Sequence, residues 1–296
     1  MERVPCLVFG EILLDCFADG SEVPGGAPFN VAWHLRAFGL DPCLISRVGR
    51  DAAGHELLAI MAGHGMTTAF VQQDDERPTG RVAIHPAADG HTFEILADQA
   101  YDHIALPAHP LPQGSAFLYH GSLALRQPDS RSTLEWLKAN LDCPVFLDVN
   151  LRAPWWERSQ VLALLAGSTW AKLNEEELAL LVPQQYDTAT RALALMAQGG
   201  KMQCLIVTRG ADGALLFTPK GHPLLYAAST LGQPVVDSVG AGDAFCAVLL
   251  LGLSQGWSIG ATMHRAQDFA AALLGHRGAT VDNPIFYQSF LTRWET

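Results

Sequence analysis

Short, almost wholly apolar runs recur along the chain at residues 6–9, 116–119, 145–149, 169–173 and 204–207. Each is too short to be a core-spanning helix, which predicts strands buried on both faces. Between most of them lie longer segments with amphipathic helical patterns, at residues 28–38, 54–63, 130–140, Glu175–Leu181 and 189–198, and two more follow at 244–251 and 263–275. Strand–helix alternation of this kind predicts an α/β fold with a mainly parallel sheet covered on both faces. Ligands of such sheets gather at the carboxyl ends of the strands. Polar or glycine-rich segments stand at several such ends: Gly25-Gly26, Asp148-Val149-Asn150, Leu173-Asn174, Thr208-Arg209-Gly210 and the stretch from Asp237 to Phe245.

Two stretches break this rhythm. Residues 12–22 and 80–97 alternate apolar with polar positions, and Asp89-Gly90 supplies a turn signal between 81–86 and 91–96. A hairpin outside the main sheet is predicted, serving as a lid, a dimer surface or a plain edge hairpin. The proline-rich residues 106–113 read as a loop. No linker or long repeat divides the chain, so the expectation is one domain over 1–296 with a small β lid formed by about 12–24 and 79–104.

Composition narrows the picture. The chain has 296 residues, 49% hydrophobic and 17% charged, which suits a large buried core. With 30 acidic against 19 basic side chains, general attraction to nucleic acid or an anionic membrane is not expected. Cys6, Cys16, Cys43, Cys143, Cys204 and Cys246 form no C-x-x-C pair. They read as reduced thiols of a cytoplasmic protein, without zinc. The histidines show no metal-binding spacing, and no apolar run approaches the roughly 18 residues of a membrane span.

The chemistry concentrates in Asp237-Ser238-Val239-Gly240-Ala241-Gly242-Asp243-Ala244-Phe245. Gly240 and Gly242 allow backbone N–H groups to converge on one point, and the apolar run that follows places a helix N-terminus there, a ready anion site. Asp243 would repel phosphate unless it takes a proton from the group that attacks that phosphate. Its alternative is a first-turn carboxylate interacting with the helix dipole.

Other motifs resolve this ambiguity. Gly25-Gly26-Ala27-Pro28-Phe29-Asn30, Val48-Gly49-Arg50-Asp51, Asp148-Val149-Asn150-Leu151-Arg152, Asn174-Glu175-Glu176-Glu177 and Thr208-Arg209-Gly210-Ala211-Asp212-Gly213 resemble, in order, the motifs of the PfkB (ribokinase-like) carbohydrate kinases. Gly10-Glu11-Ile12-Leu13-Leu14-Asp15 is most similar to the fructokinase branch. The resemblance implies a three-layer ribokinase-like sandwich with a β lid and an ATP-dependent kinase that uses Mg²⁺. It implies Asp243 as the base, with the backbone of Gly240, Ala241 and Gly242 holding developing charge and Arg152 neutralising the transferred phosphoryl group. Asn174, Thr208, Gly210 and Gly213, with the cradle glycines Gly240 and Gly242, would meet the nucleotide, and Glu177 would act on Mg²⁺ through water. Asp237, with Gly278 of the loop Gly275–Thr280, would hold a monovalent cation such as K⁺, and Asp282 and Asn283 are further oxygen donors.

Local readings compete at several of these positions. Asn174 and Glu177 also form a capping box, Thr208–Gly213 a plain turn, and Asp148 and Asn150 alternate so as to share one strand face. On the sugar side the resemblance carries over Asp15, Gly26 and Asn30. A carboxylate at Asp15 favours a neutral ketose, fructose first, over a sugar acid; a pocket-facing Arg81 would favour the acid. The alternatives are a ribose, 2-keto-3-deoxygluconate or nucleoside kinase of the same family, or a non-catalytic sugar sensor. A homodimer through the lid is also expected.

Overall fold

The computed structural model describes residues 4–87, 90–184, 187–198, 200–219, 221, 223–227 and 234–295. Strand β1 (Pro5–Phe9) leads into β2 (Leu13–Phe17), β3 (Glu22–Gly25) and helix α1 (Ala27–Ala37). Next come β4 (Asp41–Gly49), α2 (Ala52–Gly63), β5 (Val71–Asp74), β6 (Gly80–Ala87) and β7 (Gly90–Ile95). The middle of the chain forms β8 (Leu118–His120), α3 (Pro128–Asn140), β9 (Val145–Asp148), α4 (Arg158–Ala166), β10 (Trp170–Asn174), α5 (Glu175–Leu181) and α6 (Thr188–Met196). Strands β11 (Cys204–Thr208), β12 (Ala214–Phe217) and β13 (Leu224–Tyr226) precede α7 (Ala241–Gln255), α8 (Ile259–Leu273) and α9 (Pro284–Trp294).

Nine strands form one sheet in the order β13-β12-β11-β10-β9-β8-β1-β4-β5. Pairing is parallel from β5 to β11 and antiparallel at β12 and β13. Because successive strand residues point to opposite faces, the apolar runs feed two layers at once. Cys6 and Val8 pack with α1, α2, α7, α8 and α9, while Leu7 and Phe9 pack on the other face with Leu134 and Leu137 of α3. Further along that second face, Leu147, Ala171, Leu173, Leu205 and Val207 meet α4, α5 and α6. The three-layer α/β expectation holds.

The alternating stretches form a separate four-stranded sheet, β3-β2-β6-β7, with β6 and β7 antiparallel as the pattern predicts. Asp89, half of the turn signal, lies outside the described residues. Strands β4 and β5 and helices α4 and α9 were not legible as elements. Arg47 interrupts the apolar run of β4, and its guanidinium reaches buried Asp74 of β5 at 2.8 Å. Asn283, read as a candidate oxygen donor, caps α9 by accepting the Ile285 N–H at 3.0 Å.

Candidate active site

A cavity of about 360 Å³ opens at the carboxyl ends of β1, β9, β10 and β11 and is bounded on its other side by the small sheet. It brings together Asp15, Gly26, Asn30, Arg152, Asn174, Thr208, Gly240, Gly242 and Asp243. Gly210 and Gly213 lie instead in the turn between β11 and β12, where the Gly213 N–H donates to the Gly210 carbonyl at 3.2 Å. Residues separated by more than 200 positions meet here because the parallel strands gather their carboxyl ends at one edge of the sheet.

The N-terminus of α7 forms one wall. Gly240 caps it with φ 77°, a left-handed conformation, and a Cβ there would come within 2.5 Å of the Ala279 backbone. Glycine is therefore required on both conformational and steric grounds. The first-turn N–H groups have no intrahelical acceptors and remain to serve an anion; that of Ala241 lies 3.4 Å from the Ser238 carbonyl, a weak engagement. Asp243, only 9% exposed, accepts a hydrogen bond from Asn30 Nδ2 at 2.8 Å. Burial pushes its carboxyl up to about 6; the Asn30 bond, Lys172 and Arg152 oppose that rise and Asp148 adds to it. A carboxyl poised near that value is ionised at neutral pH and remains basic enough to take a hydroxyl proton.

Asp15 faces the same cavity from β2, and burial pushes its carboxyl up to about 6 against the charge of Arg152. Its register partner on β6 is Val82, also a cavity residue. Arg81 belongs to the opposite face of the small sheet, where its guanidinium pairs with Glu22 and reaches Cys16. The condition that would have favoured a sugar acid is thus not met.

One expectation about a neighbouring loop changes. Strand β9 ends at Asp148 and Asn150 takes φ 39°, so the two side chains do not share a strand face. Asn150 and Arg152 turn to the cavity, while Asp148 is buried beneath it with Lys172. Glu177 closes a full capping box with Asn174: its Oε2 accepts the Asn174 N–H at 2.8 Å and Asn174 Oδ1 accepts the Glu177 N–H at 2.8 Å. Its Oε1 takes the Leu151 N–H at 2.7 Å, fastening the Arg152 loop to α5. Asp237 accepts N–H groups of Val239 and Gly278, each at 3.0 Å, and so joins the two loops read as a cation site.

Sequence reasoning gave no role to two residues of this cavity, Lys172 and Glu11. Lys172, 7% exposed, alternates with Ala171 and Leu173 so that it points toward α7. Its Nζ donates to Asp148 at 3.0 and 3.2 Å and would lie 3.2 Å from a Cβ placed on Gly242. Burial disfavours this ammonium, but the acidic groups around it, Asp148 first, hold its pKa above the ordinary lysine value. A fixed positive charge therefore lies directly under the anion cradle. Glu11 follows β1, lines the cavity beside Leu13, Asp15 and Asn30, and is 3% exposed. Among the described residues no three His, Cys, Asp or Glu side chains form a metal cluster, and no helix is long and apolar enough to cross a membrane.

The family model of the pfkB carbohydrate kinases matches residues 14–285. The chain belongs to the PfkB family of carbohydrate kinases. A fructokinase of Klebsiella pneumoniae is 32% identical over 265 residues, spanning 83% of each chain. An ATP-dependent 6-phosphofructokinase of Thermoanaerobacterium thermosaccharolyticum is 28% identical over 304 residues, spanning 96% of this chain and 92% of its own. A double mutant of the fructokinase from Vibrio cholerae O395, bound to fructose, ADP and potassium ion, superposes with a TM-score of 0.83 at 26% identity over 98% of both chains. This PfkB kinase is thus similar to sugar kinases throughout its length, with the α7 motif and the small sheet inside the matched region.

Proposed function

We propose that this kinase transfers the γ-phosphoryl group of ATP to a hydroxymethyl oxygen of a neutral ketose, converting fructose to fructose 6-phosphate. The observation that carries the reading is the Asn30–Asp243 pair at 2.8 Å, a poised carboxylate at a helix N-terminus inside a cavity that Asp15 also lines. Asp243 accepts the hydroxymethyl proton as the oxygen attacks phosphorus. Backbone N–H groups of Gly240, Ala241 and Gly242 hold the charge that builds on the phosphoryl oxygens, and Arg152 adds a guanidinium from the opposite loop. Asp15, Gly26 and Asn30 receive the sugar, while Asn174, Thr208, Gly210 and Gly213 border the nucleotide.

Mg²⁺ would neutralise the nucleotide phosphates. Both oxygens of Glu177 already accept backbone N–H groups, which suits contact through the metal's retained waters rather than direct ligation. K⁺ fits the loop pair joined by Asp237 and Gly278, where carboxylate oxygen is at hand. The small sheet acts as a lid over the sugar; exposed Val23 and Phe93 on it suit a homodimer, for which light scattering should give twice the monomer mass. Six free cysteines suit a cytoplasmic protein.

The likeness to a 6-phosphofructokinase makes fructose 6-phosphate the competing acceptor. Asp15 at the sugar end disfavours a second phosphate there. ADP release should be measured with Mg·ATP and fructose, fructose 6-phosphate, ribose, 2-keto-3-deoxygluconate or adenosine. Fructose should give the highest kcat/KM; a higher value for any other acceptor would replace the substrate, and ADP release with none would contradict the kinase chemistry.

A further inference from the structure

The motif Gly49-Arg50-Asp51 does not line the cavity, yet it converges on one residue at the base of the small sheet. Asp51 caps α2, its Oδ1 accepting the Gly54 N–H at 2.7 Å. A cap needs only one carboxylate oxygen. The same group also grips Thr79, 28 residues on: Oδ1 accepts the Thr79 hydroxyl at 2.6 Å and Oδ2 accepts the Thr79 N–H at 2.9 Å. The Thr79 hydroxyl oxygen accepts in turn from the Gly49 N–H at 3.0 Å, and Thr79 is fully buried. A Cβ on Gly49 would stand 2.6 Å from the Thr79 nitrogen, so only glycine permits this approach.

Thr79 immediately precedes β6, the strand by which the chain re-enters the small sheet. On the main-sheet side, Gly49 ends β4 in register with Asp74 of β5, and the Arg50 N–H donates to the Asp74 carbonyl at 2.8 Å. On the small-sheet side, Gly80 pairs with Leu13, and Val82 pairs with Asp15 of β2 and Ile95 of β7. Leu13, Asp15, Val82 and Ile95 all line the cavity. Because side chains alternate along a strand, the point at which β6 begins decides which of its residues, and by pairing which of β2's, face that cavity. We infer that Asp51 and Thr79 are positioning residues for the acceptor site: their hydrogen bonds tie β6 to the end of β4 and so hold Asp15 and Val82 where they meet the sugar. Neither touches the sugar itself. The inference rests on the cavity being the acceptor site, and it assigns the motif a function distinct from capping α2.

The test compares wild type, Thr79→Val, Thr79→Ser and Asp51→Asn. Val keeps the shape of Thr79 without its hydroxyl, and Ser keeps the hydroxyl. Asn at position 51 still caps α2, but its amide nitrogen cannot accept the Thr79 N–H. Amide hydrogen exchange without ligand reads the anchoring, and KM for fructose and for ATP reads its consequence. In Thr79→Val and Asp51→Asn, exchange should rise about tenfold or more in β2 and β6, as expected for a lost charge-assisted hydrogen bond, while β1, β8, β9 and β10 exchange as in the wild type. KM for fructose should rise about fivefold to twentyfold with KM for ATP within about twofold, and Thr79→Ser should return both readings close to wild type.

The two readouts separate positioning from a general loss of stability. A purely structural role would lower the melting temperature and raise exchange across the main sheet, with KM for fructose unchanged in the folded protein. That pattern, unfolding of both Thr79→Val and Asp51→Asn, or equal rises in the two KM values would overturn the inference. Absence of fructose turnover in the wild type would refute the proposed substrate instead. The acceptor that does turn over would then supply the KM, and exchange needs no acceptor: acceleration confined to β2 and β6 supports the anchoring, and unchanged exchange overturns it.

Discussion

Replacing Lys172 by Met tests stability and chemistry together. Lys172 and Asp148 sit on adjacent strands, paired in register, and both face α7; Asp148 is 1% exposed and its other contact is the Cys246 Sγ at 3.3 Å. Met keeps most of the side-chain volume but leaves a carboxylate buried without its cation. Removing one partner of such a pair costs about 3–5 kcal/mol, which for a chain of this size lowers the melting temperature by roughly 5–8 °C. The double variant Lys172→Met/Asp148→Asn removes both charges and should recover most of that loss. Differential scanning calorimetry of the three proteins reads it directly. The reasoning fails if the single variant loses less than about 1 kcal/mol or if the double variant is no more stable than the single. The kinetic consequence has a definite sign. Lys172 lowers and Asp148 raises the pKa of Asp243, so the acid limb of kcat/KM should move to higher pH in the single variant and return toward the wild-type position in the double.

Three further outcomes are expected. In the wild type, kcat/KM for fructose should fall about tenfold per unit below pH 6, because Asp243 must be ionised to accept a proton and burial has raised it to about 6; Asn30→Leu, which removes the 2.8 Å hydrogen bond favouring the ionised form, should move that limb upward, and a limb left in place would remove Asn30 from this role. Asp15→Ala should raise the KM for sugar about tenfold or more with the KM for ATP little changed, since a charge-assisted hydrogen bond contributes about 1.5–3 kcal/mol; equal effects on both substrates would contradict its placement on the sugar side. Gly240→Ala should lower stability by at least about 1 kcal/mol, because its left-handed backbone and its approach to Ala279 disfavour any side chain; a melting curve identical to wild type would disprove the requirement.

The layered fold was legible because the strands are apolar on both faces and the helices carry a longer period. Glu175–Leu181 was read with its bounds from its amphipathic pattern, and the Asn174/Glu177 capping box at its start was legible because it depends only on a spacing of three. The α7 motif was equally local, since glycine, glycine and aspartate stand within four residues. What escaped is non-local or conformational. Lys172 reads as one polar position in a strand, and its partner lies 24 residues away, brought beside it only by the register of β9 and β10. Glu11 lies far from Asp243 along the chain, and only the order of strands around β1 closes that distance. A strict alternation of one strand residue with the next suggested that Asp148 and Asn150 share a face; the left-handed backbone at Asn150 breaks it, and nothing in residues 148–152 announces that turn. The consecutive polar residues Gln72, Gln73 and Asp74 break the alternation that would mark a strand and hid the edge strand β5, while the buried pairing of Asp74 with Arg47 depends on its register with β4.

The claim that Asp243 is the general base for phosphorylation of fructose is tested most directly by kcat of Asp243→Asn with saturating fructose and Mg·ATP, alongside the affinity of the variant for fructose. Asn keeps the shape and the neighbourhood of Asn30 but cannot take a proton. The account predicts a fall in kcat of at least about 10²-fold with fructose affinity within a few-fold of wild type. A kcat within a few-fold of wild type would contradict it and place proton transfer elsewhere in the cavity.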